Sequence, residues 1–476
     1  MIRIARPVVL NALLIAMLIW AFDGSAKMTG DFMQHFLLVD EILKHGGVRP
    51  GMPANLAPMA AYPPGAHWLA ALLGHVLHSG LLGMAVLTTL ASYAVYWLIC
   101  QLIDIDLTAN AIAFALAFAA LAWLRSFVGW EMATNGAYPQ LIADPIFFAV
   151  LVWLCRRPTG WLEVGLVALA GTAAMSIHPL VALHALGAGN LLLIALLLQE
   201  SLAKRRLARE RAGQAAILIV ASLAIIACHP AFRAMVAISV NDGQLDFRYP
   251  HVLPVILICG ILGAANLRGA TASDRTDLVL GAAGVSSAIL PALQEFALLL
   301  GVGSFYSVKK HMFLTFTLGV INLARLIARG RTSAANRNGL GWLLAPIFAC
   351  IATVSIETRG RSPLAPLTEA LDYANAARPK LPQIVPGEAA ADVAGLSLLE
   401  NILISQSAFE MPAASPALIR IASGAKPDQV VAFVLVRSSD LPASCKTRLA
   451  PSAAFSIATD CASRNPSQPA SRPTSR

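Results

Sequence analysis

The run Val181-Ala182-Leu183-His184-Ala185-Leu186-Gly187-Ala188-Gly189-Asn190-Leu191-Leu192-Leu193-Ile194-Ala195-Leu196-Leu197-Leu198-Gln199 contains no Asp, Glu, Lys or Arg. A helix rises about 1.5 Å per residue, so about 20 apolar residues match the roughly 30 Å hydrocarbon core of a bilayer. Comparable runs recur at 7–22, 80–103, 108–124, 141–154, 161–178, 214–236, 251–267, 278–300, 312–328 and 340–356. The reading is an all-α polytopic membrane protein with about 11 transmembrane helices. Composition agrees: 57% of the 476 residues are hydrophobic and 13% are charged, against about 25% charged in soluble domains. A nucleic-acid module, a disulfide scaffold and a disordered chain are excluded. The apolar runs are continuous rather than alternating, which favours helices over a barrel. The run at 141–154 is short, so its helix is expected to begin upstream.

Basic residues set the orientation. With the N-terminus in the cytoplasm, the inner segments hold Arg3, Arg6, Arg156, Arg157, Lys204, Arg205, Arg206, Arg209, Arg211, Arg268, Arg275, Arg325, Arg329, Arg331 and Arg337. The outer loops hold the shorter set Lys27, Lys44, Arg49, Arg125, Arg233, Arg248, Lys309 and Lys310. This bias predicts a multi-pass protein of the cytoplasmic (inner) membrane. The first apolar run is read as an uncleaved span, although Arg3, Arg6 and Gly24-Ser25-Ala26 also fit a signal peptide. Two long extramembrane regions follow from the count: a first outer loop at 23–79 and a tail from 357. The membrane domain is expected over 1–356, an extracytoplasmic α/β domain over 357–463, and a disordered Ser/Pro-rich end over 464–476.

The first outer loop carries the chemical signal. Residues Gly30 to Gly46 read as an amphipathic helix lying in the interface. Phe32, Phe36, Val39 and Leu43 fall on one face, and Asp31, Gln34, His35, Glu41 and His45 roughly opposite. Gly46-Gly47 ends it. Asp31 and His35 are four apart and share a face. Asp31 also reads simply as a charge favoured at a helix start. Further on, Tyr62-Pro63-Pro64-Gly65-Ala66-His67-Trp68 fixes a rigid turn before another apolar helix.

Gly-Asp-x-x-x-His after the first span, an interfacial helix, then Tyr-Pro-Pro-Gly-x-His before a further helix resembles the integral-membrane glycosyltransferases of the GT-C fold. Tyr138-Pro139-Gln140, His178-Pro179 and Phe305-Tyr306-Ser307-Val308-Lys309-Lys310 add to the resemblance. It implies a polyprenyl-phosphate-linked sugar donor and an envelope glycan, lipid or protein as acceptor. By position Asp31 is the implied catalytic base, with His35, Tyr62, His67, Glu131, Asp144, Tyr306, Lys309 and Lys310 as implied substrate-binding residues. A carboxylate can take the acceptor's proton, and the phosphate leaves without an acid. Lys309 and Lys310 suit that phosphate, and they equally fit snorkelling interface lysines. Glu131 is read as lining the site from an outer loop. Asp144, before Pro145, is costly inside a membrane, which suggests a role or a partner, and it reads equally as a plain helix N-cap. Glu295 is expected near the outer end of its span. Asp40 and Glu41 read as helix-surface charges, and His178 and His229 as satisfied histidines at helix breaks.

No His-Glu-x-x-His or Cys-His cluster is present, so no cofactor is expected, although some relatives of this fold place a divalent cation at the carboxylate. A transporter or lipid-linked-sugar flippase is the alternative function. In the tail, a helix is expected near 364–377, and strands over 430–436 and 454–458. Cys445 and Cys461 are its two cysteines. An oxidising compartment predicts a disulfide between them. Alkylation without reductant should leave both unlabelled, and a mass shift at both would refute the pairing and weaken the outward placement of the tail.

Overall fold

The computed structural model describes residues 30–48, 59, 61–103, 138–238, 252–269, 275–329, 433–437, 446–447 and 455–459. Eleven helices are described: α1 (Gly30–His45), α2 (Gly65–Leu77), α3 (Gly80–Ile103), α4 (Tyr138–Arg156), α5 (Trp161–Ile177), α6 (Pro179–Lys204), α7 (Arg209–Cys228), α8 (Pro230–Ile238), α9 (Val252–Gly269), α10 (Arg275–Leu299) and α11 (Phe305–Arg329). Four of them, α4, α6, α7 and α10, are long and apolar enough to cross a membrane by length and composition. The expected runs at 7–22, 108–124 and 340–356 lie outside the described residues, as does the tail helix near 364–377.

The short fourth run does begin upstream: α4 starts at Tyr138 and carries Pro145 inside it. At His178 the chain turns, because Pro179 cannot continue the preceding helix. His178 donates its N–H to the Ala174 carbonyl at 2.7 Å, and its own carbonyl accepts from Val181 at 3.1 Å. The pair α5–α6 is therefore a hairpin of two helices. The expected span 214–236 is corrected by the same chemistry. Its helix begins at Arg209 and stops at Cys228, and Pro230 starts the short α8. The end of the bundle holding His178 and the start of α4 is termed outer, following the charge bias.

Small residues set how closely the helices approach. A Cβ at Gly83 of α3 would lie 2.2 Å from the Ala70 carbonyl of α2. A Cβ at Gly281 of α10 would lie 2.5 Å from the Leu267 amide of α9, and one at Gly263 of α9 would lie 2.7 Å from the Val285 amide. Such contacts let backbones meet where side chains cannot, as small residues do in membrane bundles. Asn322 of α11 ties the trio: Asn266 donates to its side-chain oxygen at 2.8 Å, while its own amide reaches the Leu280 carbonyl at 3.0 Å. Pro291 inside α10 offers no N–H to the Ser287 carbonyl one turn back. The Thr315 hydroxyl of α11 lies 2.7 Å from that carbonyl and 3.0 Å from the His311 carbonyl, and it supplies the missing donor.

At the inner end, Arg275 donates to the Leu154 carbonyl at 2.6 Å and to the Thr159 hydroxyl. Arg211 reaches the Thr159 carbonyl and pairs with Glu200 at 2.6 Å. Arg325 binds Asp277 at 2.8 Å. These bonds fasten the α4–α5 connection to the starts of α7 and α10.

In the tail, β1 (Phe433–Arg437), β2 (Lys446–Thr447) and β3 (Phe455–Thr459) form an antiparallel sheet in the order β1-β3-β2. Leu435 pairs with Ile457, and Lys446 with Thr459. The two expected strands are present within a residue or three. Cys445 and Cys461 lie outside the described residues.

Glycine packing makes a clear stability prediction. Gly281→Ala should lower stability by about 1–3 kcal/mol, the usual cost of overpacking. Gly165→Ala, where nothing lies within 4 Å, should be neutral or stabilising, since alanine favours helix. Thermal unfolding in detergent compares the two.

Candidate active site

α1 differs from the surface helix that its pattern suggests. His35, Phe36, Leu38, Val39, Asp40, Glu41 and Ile42 are all buried, because α2 and α3 both pack against it. Asp40 and Glu41 are therefore not helix-surface charges. Asp40 pairs with Lys44 at 2.5 Å and Glu41 lies 3.7 Å from His45, one turn along. Gly46 ends the helix at φ +67°, a conformation that glycine adopts without steric cost. Asp31 occupies the second position of α1, and its side chain lies outside the described residues.

The Pro63-Pro64 turn places His67 in the first turn of α2. Gly65 is required there: a Cβ would sit 2.6 Å from the Ser176 carbonyl at the end of α5. His67, fully buried, meets His35 with 3.0 Å between His35 Nδ1 and His67 Nε2. Tyr62 stands edge-on to both imidazoles, 5.1 Å from His35 and 5.8 Å from His67 between ring centres. Tyr138, the first residue of α4, closes the box at 6.1 and 5.8 Å. Its hydroxyl donates to the Ala66 carbonyl at 2.8 Å.

Burial lowers the His67 imidazole to about 3, because a charged ring loses its hydration there. Which of the two ring nitrogens donates in the His35–His67 bond depends on the tautomers of the rings.

Two residues beyond Tyr138, Gln140 donates to the Lys310 carbonyl at 2.8 Å. Lys309 and Lys310 belong to the early turns of α11 rather than to an outer loop. Both are buried. The Lys310 ammonium lies 4.7 Å from the centre of the Tyr306 ring and 6.0 Å from that of Phe313, a cation–π arrangement. His178 is buried with its Nδ1 unpartnered, so it is not the satisfied histidine expected. His229, in contrast, is satisfied: its Nδ1 accepts from the Ala231 amide at 3.2 Å and its Nε2 meets Ser176 at 3.2 Å.

Deeper in the bundle, His184 of α6 joins Ser287 at 2.7 Å and His311 at 3.0 Å. Asp144 lies one turn below Gln140 in α4, buried, with Oδ1 unpartnered. Glu295 of α10 is likewise buried with an unpartnered oxygen. Glu131 lies outside the described residues. The structure thus unites His35, Tyr62 and His67, and links them through α4 to Lys310. Sequence reasoning did not assign Gln140, His184 or His311 to the site, because their partners are distant in the chain. Among the described residues no three His, Cys, Asp or Glu side chains gather as a metal site.

These features define a polytopic helical membrane protein with a buried polar site at its outer end. No protein-family model matches the sequence, and no curated protein matches it. Among solved structures, the chain is similar to ArnT from Cupriavidus metallidurans bound to undecaprenyl phosphate. The TM-score is 0.48 and the identity 12%, over 96% of this chain and 98% of that one.

The neutral His67 has a consequence for stability. The unfolded ring takes a proton near 6.5 while the folded ring stays neutral down to about 3. Between those values the unfolded state binds more protons, so stability rises with pH. His67→Gln should lower the slope of the stability profile between pH 4 and 6.5 by about one proton, measured by thermal unfolding at stepped pH.

Proposed function

We propose that this chain is a membrane glycosyltransferase. It moves a sugar from a polyprenyl-phosphate donor to an envelope glycan, lipid or protein at the outer face of the cytoplasmic membrane. One observation carries the reading: the first turn of α4 joins the helix of Asp31 to the helix of Lys309 and Lys310. Tyr138 packs on His35 and His67, and Gln140 bonds the backbone of Lys310. A carboxylate-bearing segment and a cationic segment thus converge on one strip of protein. A sugar phosphate needs both, one for the acceptor and one for the leaving group.

In this reading the acceptor hydroxyl gives its proton to the Asp31 carboxylate as its oxygen attacks the anomeric carbon. The bond from that carbon to the phosphate oxygen breaks, and the electron pair leaves on the phosphate. Lys309 and Lys310 stabilise the departing anion. His35, on the face of Asp31 and held by His67, positions the base. Tyr62 and Tyr306 supply aromatic walls for the sugar and the phosphate ends, and Asp144 and Glu131 are substrate-side candidates.

Asp31→Asn should reduce transfer by about 10²–10⁴-fold, the range for losing a general base, while thermal stability in detergent stays unchanged. Full transfer by that variant would refute the assignment. Asp144 favours a second reading, transport, since an unpartnered buried acid suits a conduction path. Uptake of a lipid-linked sugar into vesicles without any transfer product would support that reading instead.

A further inference from the structure

The opposite end of the bundle carries a second, independent feature. The turn between α6 and α7 reads Lys204-Arg205-Arg206-Leu207-Ala208-Arg209-Glu210-Arg211. Two of its cations are spent internally: Lys204 and Arg211 both pair with Glu200, at 3.3 and 2.6 Å. Arg205, Arg206 and Arg209 are exposed. Among the described residues none of the three meets a carboxylate within ion-pair distance. The one carboxylate in the turn, Glu210, accepts from Gln214 at 3.4 Å. Three exposed arginines within five residues thus leave a local positive charge that an anion can meet.

Their surroundings select the anion. Trp161, at the start of α5, is exposed, and its ring faces Gly213, 3.6 Å from where a Cβ would stand. Gly213 lies one turn after Arg209 on the same face of α7, so the indole and Arg209 share one side of that helix. The neighbouring loop is fastened alongside, because Arg211 bonds the Thr159 carbonyl. That loop adds the exposed Arg157, stacked 5.6 Å from the Trp153 ring centre. Only 22% of the apolar stretch of α7 is buried, and Leu207 is 63% exposed. An indole at the membrane boundary, a row of arginines and an uncovered apolar helix below them match a phosphate head with acyl chains.

We propose that this face, between the starts of α5 and α7, docks an anionic glycerophospholipid of the adjoining leaflet. Its phosphate lies on Arg205, Arg206 and Arg209, which bind it through paired N–H groups. Trp161 packs against the glycerol region, and the acyl chains follow α7. This site is remote from the His35–His67 box and does not depend on the reading of Asp31.

The test uses the full chain purified in detergent, titrated with phosphatidylglycerol, cardiolipin or phosphatidylcholine. Bound lipid is counted by native mass spectrometry, and stabilisation by thermal shift. Phosphatidylglycerol and cardiolipin should bind saturably, and phosphatidylcholine weakly. The variant R205Q/R206Q/R209Q keeps Lys204 and Arg211 in their internal pairs and should bind anionic lipid about tenfold or more weakly. Trp161→Ala should weaken binding in the same direction by a smaller factor, and it serves as the readout if the triple variant fails to fold. Arg268→Gln, an exposed arginine at the same boundary on α9, should change nothing. Inorganic phosphate should not saturate the site. The proposal is overturned if the triple variant or, failing that, Trp161→Ala binds as tightly as the parent. It is also overturned if phosphatidylcholine or inorganic phosphate binds equally well, or if Arg268→Gln produces the same loss.

Discussion

The hydrogen bond from Gln140 to the Lys310 carbonyl holds the outer site together. It joins α4 to α11 where both helices begin, and Tyr138 stands two residues away against the two imidazoles. Both ends of that bond are buried, so each would be costly to leave unmade in a dry interior. α11 is held elsewhere by the Asn266–Asn322 and Thr315–Ser287 bonds and by His311 on His184, so losing the Gln140 bond would leave a buried carbonyl and amide unpaired without freeing the helix.

The membrane body was legible because apolar runs and proline breaks act locally. Pro179 and Pro230 mark helix starts, and Pro145 lies inside a helix that begins upstream, as the short run at 141–154 indicates. The break at His229-Pro230 was read from the proline, yet the span 214–236 was drawn through it, because hydrophobicity continues across it. The sheet of the tail followed from its β-branched and aromatic runs. The burial of α1 was not legible. Its polar residues look surface-bound in sequence, and only the packing of α2 and α3 encloses them.

The site was legible in part. His35, Tyr62 and His67 could be picked out because two motifs in one loop bring them near each other. Lys309 and Lys310 were placed in a loop, and they lie in a helix. Aromatic residues four before and three after Lys310 instead let a helix bury its ammonium. Gln140, His184 and His311 meet partners more than 100 residues away, and no local pattern encodes such a meeting.

The Ser287 carbonyl has a wider consequence. Pro291 deprives it of its helical partner, and a hydroxyl from the neighbouring helix stands in. Inheritance of Pro291 is therefore tied to position 315. A lineage that replaces the threonine alone orphans a carbonyl, whereas one that replaces the proline alone only adds a second donor to an oxygen that can accept two. Across descendants of this chain a proline can persist in the middle of α10 only where its neighbour keeps that hydroxyl.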